Sequence, residues 1–396
     1  MNLELGSADI FRSGIVPFLE RKLISMFNSR KTISKVVAIG SAMVLASTVA
    51  TPTAQAATIT GQGSTAIKNL LDICIPKYND KSGHTISYLG NGSGAGRTAF
   101  NNGIPDFAMS DATYAATAAQ PTGKFLYVPL TQFPLALIVK LDGVTNIQLS
   151  PATVAGIFAG QITKWNDAKI VADNTPVTTS KVKGKTVTTK GKAPKLPDTA
   201  ITVWYRSDSS GSTGILTGWM QATAASVWAA PRTLNQTFAT AFGGTVPAGT
   251  FQGASGSDGV ANGVASKNGS IGYAETSYGT ERKLLLAKVQ NNNGEFVAPS
   301  AKATATFING FAAGANGAIT IDYTAKVAGG YTIAGYTYGL AYNASAGKSS
   351  VNQSIVQNFF SYVLNDCATS SAENAGYAPL TGKLKDLAEA QILQIK

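Results

Sequence analysis

The sequence has little of the chemistry that metal centres and hydrolytic triads require. It contains a single histidine, His84, and two cysteines among its 396 residues. A zinc site made of four cysteines, or of two cysteines and two histidines, cannot be assembled from this set. A Ser-His-Asp triad would have to use His84, which we place in a surface loop before a predicted strand. We therefore expect no metal and no cofactor.

Charged side chains are also scarce. They make up 13% of the chain, compared with about a quarter in typical soluble proteins. The apolar fraction of 44% is ordinary, which excludes a disordered chain. A surface built largely from glycine, threonine, serine, asparagine and alanine is common among exported proteins.

Residues 1–56 are predicted to be a secretory signal peptide. Three basic residues precede the apolar run Val36–Ala50, and the small-residue cleavage motif Ala54-Gln55-Ala56 follows it. The run is too short to span a bilayer comfortably, which disfavours a membrane anchor. Met26 is a candidate for the true start, and no cysteine precedes Cys74 that could carry an N-terminal lipid. We expect an exported protein in the periplasm, outside the cell or at its surface.

Much of the net charge of +11 lies in one Lys-rich stretch near residues 177–195. The stretch lacks aromatic residues that would stack on bases, so we expect no nucleic-acid partner. Two interpretations stay open, a solvated hairpin or loop and a patch that binds anionic cell surfaces. Its lysines are Lys181, Lys183, Lys185, Lys190, Lys192 and Lys195.

Strand and helix patterns alternate from residue 58 onward. Helices are predicted at Ala66–Tyr78, where Pro76 should distort the last turn, and around Arg97–Asn101. The alternation predicts an α/β fold with mainly parallel strands. The strands of this region are predicted at Thr58–Thr60, Thr85–Leu89 and Asp106–Met109, and a later one at Ile201–Tyr205.

Three turns rich in glycine and hydroxyl residues each follow a predicted strand and open a predicted helix. A helix N-terminus presents free backbone N–H groups and partial positive charge, which favours an anion. In open α/β sheets, ligands gather at the carboxyl ends of the strands, where these turns lie. The turns are Gly63-Ser64-Thr65, Gly92-Ser93-Gly94 and Ser209-Ser210-Gly211-Ser212-Thr213.

Charged residues beside these turns indicate which anion is bound. Arg206 follows the strand Ile201–Tyr205 and can bind an oxyanion with its planar guanidinium, while Asp208 holds that group in position. Asp111 follows another strand at the same predicted edge. A carboxylate facing an anion is repulsive unless the anion brings a proton that the carboxylate accepts. The pattern predicts a tetrahedral oxyanion that carries a proton at neutral pH. Phosphate carries such a proton, and sulfate does not.

These residues, in this order, resemble the PstS family, the phosphate-binding proteins of high-affinity phosphate ABC transporters. The similarity runs over nearly all of residues 57–396, apart from the Lys-rich stretch. The motifs that carry it are Ile59-Thr60-Gly61-Gln62-Gly63-Ser64-Thr65, Gly92-Ser93-Gly94, Asp106-Phe107-Ala108-Met109-Ser110-Asp111, Ile157-Phe158-Ala159-Gly160-Gln161-Ile162-Thr163-Lys164-Trp165-Asn166-Asp167, Arg206-Ser207-Asp208-Ser209-Ser210-Gly211-Ser212, Asn268-Gly269-Ser270-Ile271-Gly272-Tyr273 and Tyr336-Thr337-Tyr338.

The resemblance implies a role for each matching position. Asp111 would accept the phosphate proton, and Arg206, oriented by Asp208, would be the cation in contact. The other implied phosphate-binding residues are Ser64, Thr65, Ala66, Ser93, Ser210, Gly211 and Ser212. Three of the matching positions depart from the family pattern: Ala66 replaces phenylalanine, Ser212 replaces threonine, and Ser209 replaces a glycine.

The resemblance also implies a type II periplasmic-binding-protein fold, with two α/β lobes, two hinge-crossing strands and the ligand in the cleft between the lobes. The first lobe would comprise residues 57–131 and 334–396, and the second lobe residues 132–333 with the Lys-rich insert. A Cys74–Cys367 disulfide would join two helices of the first lobe. The implied partners are inorganic phosphate and a membrane permease, and we expect a monomer.

Two other functions were weighed. A phosphatase would also capture phosphate with N–H and hydroxyl donors, but it needs a nucleophile with a base, or metal ions, and the chain has no Gly-x-Ser-x-Gly motif. A surface or adhesion role on the same scaffold would use the Lys-rich stretch. We expect a binding protein and no enzyme.

Overall fold

The structure, a computed structural model, describes residues 56–396 except 115–119, 122–123, 183–184, 313, 315 and 344–348. The predicted signal peptide therefore lies outside the described residues, apart from Ala56. The strands are β1 (Thr58–Gly63), β2 (Thr85–Gly90), β3 (Phe107–Ser110), β4 (Phe125–Lys140), β5 (Gln148–Leu149), β6 (Val177–Val182), β7 (Lys185–Lys190), β8 (Thr202–Arg206), β9 (Phe251–Ala254), β10 (Ser270–Glu275), β11 (Leu285–Leu286), β12 (Lys288–Gln290), β13 (Phe296–Val297) and β14 (Ala334–Tyr342).

The helices alternate with these strands. They are α1 (Lys68–Ser82), α2 (Ser93–Asn101), α3 (Pro151–Phe158), α4 (Ala168–Asp173), α5 (Gly211–Thr223), α6 (Phe238–Phe242), α7 (Gly256–Ser266), α8 (Thr276–Glu281), α9 (Ala301–Ile308), α10 (Ser350–Tyr362), the π-helical turn Val363–Cys367, α11 (Ala368–Ser371) and α12 (Gly382–Ile392). Among the described residues, no helix is both long and apolar enough to cross a membrane.

One large sheet runs through the molecule in the order β2-β1-β3-β14-β4-β10-β8-β9, with β11 added to β4. Strands β1, β2 and β3 pair in parallel. Strands β8, β9 and β10 also pair in parallel. Because parallel strands end at the same edge, each group presents its carboxyl ends, and the turns that follow them, together.

Two antiparallel strands, β4 and β14, connect the two groups. Strand β4 has 16 residues, pairs with β14 through Pro134 and then with β10 from Leu135 onward. Its interior residues are buried throughout, which fits a strand covered on both faces. Thr131 pairs with Thr337 inside this ladder, where the sequence places the hinge crossings. The exact lobe boundaries stay a prediction.

The core is aromatic where helices pack on the sheet. Phe107 of β3 contacts Phe359 and Phe360 of α10, with ring centroids 5.6 Å and 5.5 Å apart. Trp165 and Trp219 are fully buried, as expected for packing residues. The indole N–H of Trp165 donates to the carbonyl of Gly269 at 2.9 Å, which satisfies its polar atom in the core.

A disulfide joins Cys74 on α1 to Cys367 at the end of the π-helical turn, with Cα atoms 5.7 Å apart. The bond implied by the resemblance is therefore confirmed. Both cysteines are buried. The bridge closes a separation of 293 residues, which ties the last part of the chain to the first helix.

Two helix boundaries differ from the sequence expectation. Helix α1 begins at Lys68 and continues through Pro76 to Ser82, so Pro76 lies inside the helix and not in its last turn. Cys74 and Tyr78 are buried on either side of it, and this packing outweighs the backbone hydrogen bond that proline cannot make. Helix α2 begins at Ser93, earlier than predicted.

The Lys-rich stretch forms an antiparallel hairpin of β6 and β7 that pairs with no other strand of the described chain. Its described side chains are exposed. The hairpin closes at its base, where the N–H of Gly191 donates to the carbonyl of Pro176 at 2.8 Å. It therefore contributes charge to the surface and little to the core.

Candidate functional site

The site is assembled from the ends of strands and the beginnings of helices. Ser64 lies in the turn between β1 and α1, Ser93 is the first residue of α2, and Asp111 directly follows β3. Because β1, β2 and β3 are parallel, these turns meet at one edge of the sheet. Thr337, from the crossing strand β14, reaches the same point.

Asp111 is the centre of this cluster and accepts hydrogen bonds from three hydroxyl groups. Ser64 Oγ lies 2.7 Å and 2.6 Å from its two oxygens, Ser93 Oγ lies 3.0 Å from Oδ2, and Thr337 Oγ1 lies 2.6 Å from Oδ1. The side chain is buried. Burial raises the pKa of Asp111, against the opposing effects of the three hydroxyls and of the charge of Arg206.

Arg206, the last residue of β8, is 2% exposed and forms a two-point contact with Asp208. Its Nε donates to Oδ1 at 2.7 Å, and its Nη2 pairs with Oδ2. The N–H of Gly256 also donates to Asp208 Oδ1, at 3.0 Å. These contacts fix the orientation of the guanidinium, and the part of Asp208 in phosphate binding stays a prediction.

The pair shifts the pKa values of both of its members. Burial alone would lower the pKa of Arg206, but the hydrogen bond and the charge of Asp208 outweigh it and raise that pKa. Burial alone would raise the pKa of Asp208, but its contacts with Arg206 and Gly256 lower that pKa. Both groups therefore stay charged at neutral pH.

The N-terminus of α5 lies against Asp111. Ser210 caps this helix by accepting from the N–H of Thr213. Gly211 lies against Asp111, since a Cβ at position 211 would approach the Asp111 Cβ to 2.5 Å. Lys283 is the only non-glycine residue with positive φ in the described chain. Ser209 therefore fills the family's glycine position without backbone strain.

Thr65 connects the first-lobe turn to the second lobe. Its hydroxyl lies 3.1 Å from the hydroxyl of Ser257 and accepts from the Ser257 N–H at 3.2 Å. Arg206 Nη1 lies 3.4 Å from the same Ser257 hydroxyl. Ser257 lies in the first turn of α7, so a further helix N-terminus faces the site.

Ala66 is fully buried in the turn between β1 and α1, and its N–H donates to Ser64 Oγ at 2.9 Å. Its backbone contact with phosphate stays a prediction. No group of three or more histidine, cysteine, aspartate or glutamate residues that could hold a metal ion occurs in the part of the chain that is described.

Three residues that lie at the site, Thr337, Ser257 and Glu275, are not among the residues predicted from the sequence. Thr337 belongs to a motif of the resemblance, but no role was predicted for it. Glu275 is 1% exposed, ends β10 and accepts from Ser212 Oγ at 2.9 Å. It shares a signal with Asp111, because both carboxylates stand at the end of a buried strand, and that signal could have identified it.

Arg97 is a second buried cation near Asp111. Its Nη1 donates to Ser110 Oγ at 2.6 Å and to the carbonyl of Ala112 at 3.2 Å, and its Nη2 contacts Gln236 from the second lobe. Burial lowers the pKa of Arg97, against the nearby charges. Arg97 holds the segment around Asp111 and links it to the loop before α6.

The sheet joins two groups of parallel strands, and their carboxyl ends and the helix N-termini that follow them meet over a buried charged cluster. The chain matches the PBP superfamily domain over residues 48–366, and it belongs to this family.

Curated relatives indicate which members of this family the chain resembles. The chain is 31% identical over 238 residues to phosphate-binding protein PstS 3 of Mycobacterium leprae, which covers 59% of this chain and 57% of the relative. It is 31% identical over 254 residues to phosphate-binding protein PstS of Xylella fastidiosa, and this match covers 62% of this chain and 61% of the relative. The chain thus spans less than two thirds of the length of these relatives. The resemblance to the PstS family is confirmed.

Solved structures share the fold. The periplasmic phosphate-binding protein PfluDING, bound with phosphate, has a TM-score of 0.64 at 23% identity and covers 84% of this chain and 93% of its own. The phosphate-binding protein of Stenotrophomonas maltophilia has a TM-score of 0.61 at 23% identity, and the match covers 85% of this chain and 94% of the Stenotrophomonas protein. The predicted two-lobe α/β fold is confirmed.

Proposed function

We propose that this protein captures inorganic phosphate between its two lobes and delivers it to the permease of a phosphate ABC transporter. The observation that carries the proposal is the buried Asp111 carboxylate, which is surrounded by hydroxyls and faces the Arg206–Asp208 pair. The names of the relatives, which are phosphate-binding proteins, support it.

Asp111 supplies the selectivity for a protonated anion. A phosphate P–OH group donates a hydrogen bond to a carboxylate oxygen, whereas sulfate has no proton at neutral pH and would meet Asp111 as a like charge. Each serine hydroxyl has one proton, so Ser64 and Ser93 cannot donate to Asp111 and to the anion together. Phosphate binding therefore turns these hydroxyls from Asp111 toward phosphate oxygens, while the P–OH takes their place on the carboxylate.

The remaining groups bind the phosphate oxygens. Arg206 contributes its guanidinium charge, and Asp208 fixes the orientation of that group. The first turns of α2 and α5 and the turn before α1 contribute backbone N–H groups, whose aligned dipoles favour negative charge. Thr65, Ala66, Ser210, Gly211 and Ser212 lie at these turns, so the binding energy comes from many neutral donors and few charges.

The finer assignments follow from this function. The protein would act outside the cytoplasm after removal of residues 1–56, as a monomer, without cofactor or nucleic acid, and without an N-terminal lipid. The lobes, with boundaries at residues 131 and 333, would close on phosphate by bending β4 and β14. We propose a binding protein and no enzyme, because His84 accepts from the backbone N–H of Ala57 and lies away from this cluster.

Calorimetric titration of the purified protein tests the proposal. Phosphate should bind and arsenate should compete, since it has the same shape and proton, while sulfate should not. Arg206→Ala should weaken phosphate binding about 10- to 100-fold, because hydrogen bonds to charged groups contribute roughly 1.5–3 kcal/mol. Arg206→Lys keeps the charge but loses the two-point contact with Asp208, so its phosphate affinity should lie between those of the wild type and Arg206→Ala.

The matched control is Arg282→Ala. Arg282 follows α8 and pairs through Nη2 with the exposed Asp258 of α7, and neither residue is a predicted phosphate-binding residue. This variant should bind phosphate like the wild type. Unchanged affinity in a folded Arg206→Ala variant would place the site elsewhere, and measurable turnover of p-nitrophenyl phosphate with added metal would favour the phosphatase instead.

A further inference from the structure

Glu275 is a second buried carboxyl group at the site, and the proposed phosphate contacts do not use it. It ends β10, which pairs in parallel with β8. Parallel strands end at the same edge of a sheet, so Glu275 lies beside the end of β8, where Arg206 stands. It also forms the N-cap of α8. Its placement on rigid elements fixes the carboxyl group next to the anion-binding turns.

The two oxygens of Glu275 have different surroundings. Oε1 lies 2.9 Å from the hydroxyl of Ser212, in the first turn of α5. Oε2 is buried and has no hydrogen-bond partner among the residues that the structure describes. A buried carboxylate oxygen without a donor is costly, whereas a protonated carboxyl group carries no charge to compensate.

The charged and titratable groups that face Glu275 come from four directions. Asp111 faces it from the first lobe and Arg206 from β8, while Tyr278 of α8 and Tyr377 lie near enough to interact with its charge. Burial raises the pKa of Glu275, and the negative charge of Asp111 raises it further. The Ser257 hydroxyl, which lies nearby without reaching the geometry of a hydrogen bond to Oε2, and the charge of Arg206 oppose this rise. The positive charge of Arg206 is already shared with Asp208, so an ionised Glu275 would face an incoming anion as a like charge.

The protonation state of Glu275 decides what the Ser212 hydroxyl can do. With Glu275 ionised, the single Ser212 proton points to Oε1, and only oxygen lone pairs remain for the anion. With Glu275 protonated, the carboxyl group donates to Ser212 Oγ, and the Ser212 proton is free to point elsewhere. Protonation of Glu275 therefore converts the Ser212 hydroxyl from a group that repels the anion into a hydrogen-bond donor to it.

We propose that Glu275 is a positioning residue that takes up one proton from solvent when phosphate binds and thereby turns the Ser212 hydroxyl toward the anion as a donor. This inference rests on the proposed function. No bond to phosphorus forms or breaks, because the proton moves from water to the carboxylate and the phosphate is only bound.

The test compares phosphate binding by the wild type and by Glu275→Gln from about pH 6 to pH 9, a range that spans the usual limits of shifted carboxyl pKa values. The Gln side chain is a permanent neutral donor to Ser212 Oγ. If binding requires the uptake of one proton, the phosphate affinity of the wild type falls by up to about tenfold for each pH unit above the pKa of Glu275 in the unliganded protein. The Gln variant has no such proton to take up, so its affinity lacks this dependence. The ratio of the two Kd values should therefore rise with pH, since the ionisation of phosphate itself cancels in it.

Calorimetry in two buffers of different ionisation enthalpy counts the protons directly. The wild type should take up more protons on binding than Glu275→Gln, and Ser212→Ala should bind weakly with little further loss when Glu275→Gln is added. Glu281→Gln, an exposed change on the same helix, should behave like the wild type.

Three results separate the possibilities. A pH-independent ratio of Kd values, or equal proton uptake in the two proteins, would overturn the inference while leaving phosphate binding in place. A Gln variant that folds, as judged by thermal unfolding, but binds at least tenfold more weakly at every pH would also overturn it. Absence of phosphate binding by the wild type would instead overturn the proposed function, and this inference with it.

Discussion

The Asp111 carboxylate is buried beside hydroxyl groups from three separate segments of the chain. Ser64 and Ser93 come from neighbouring turns, but Thr337 is 226 residues away. The hydroxyl donors replace part of the water that burial removes, so they oppose the rise in the pKa of Asp111 and favour its ionised form. It also prepares the site for a ligand that carries its own O–H donor.

Asp111→Asn should reverse the preference between phosphate and sulfate. The asparagine side chain loses the charge that attracts a P–OH donor, so phosphate binding should weaken about 10- to 100-fold, the equivalent of one hydrogen bond to a charged group. Sulfate binding should improve, since the like charge is gone. Calorimetry with both anions measures the two effects on one protein.

Asp142→Asn is the control for that change. Asp142 is exposed and pairs with Lys140 at the surface, so its removal should leave the binding of both anions unchanged. If Asp111→Asn kept full phosphate affinity and still rejected sulfate, selectivity would have to come from other groups than the carboxylate.

At the residue scale, the sequence predicted those site residues that share one chemical feature, a charged side chain at the end of a strand beside a hydroxyl-rich turn. A carboxylate and an arginine at strand ends beside hydroxyl-rich turns identified Asp111 and Arg206. Glu275 shares this feature but was not considered, because its Ser212 partner lies 63 positions away and no local pattern joins the two. Contacts of this kind depend on how the strands are ordered, which one sequence does not reveal.

At the element scale, the strand–turn–helix units were predicted, but the positions where their helices begin were less accurate. The turn Gly63-Ser64-Thr65 was expected to lead directly into a helix that begins at Ala66. The helix begins instead at Lys68, with Ile67 as an N-cap that makes no side-chain bond. The hydroxyls of Ser64 and Thr65 contact Asp111 and Ser257, and Ser64 Oγ also accepts from the N–H of Ala66. These side chains therefore serve the site as well as the local turn.

The hairpin of β6 and β7 should be dispensable for phosphate binding. Residues 177–190 can be replaced by an Asn-Gly turn, because Pro176 and Gly191 already meet at the base of the hairpin. The deletion should change the free energy of unfolding by no more than about 0.5 kcal/mol, since its described side chains are exposed. Calorimetry and urea unfolding measure these two quantities.

The same deletion tests the adhesion alternative. Retention of the wild type on heparin that is sensitive to salt and disappears with the hairpin would show that the lysines bind anionic polymers. Phosphate affinity that survives the deletion would leave this as a secondary property. Loss of phosphate binding in the folded deletion variant would contradict the separation of the hairpin from the site.

At the scale of the whole molecule, β4 and β14 make one sheet out of two groups of parallel strands. The two-lobe fold was inferred from the resemblance and not from the alternation of strands and helices, which predicts parallel units but not their order. Likewise, the Cys74–Cys367 disulfide was implied by the resemblance and joins helices that are distant in the sequence. The lobe boundaries stay a prediction, because the strands that cross between the lobes are continuous.

A crystal structure of the protein grown with phosphate shows directly whether Asp111 accepts a hydrogen bond from the bound anion. We expect one phosphate between the lobes, with an oxygen about 2.5–2.7 Å from an Asp111 carboxylate oxygen, as in a charged O–H···O contact. We also expect Arg206 nitrogens about 2.7–2.9 Å from the phosphate. A phosphate bound elsewhere, with Asp111 still held only by Ser64, Ser93 and Thr337, would contradict the account.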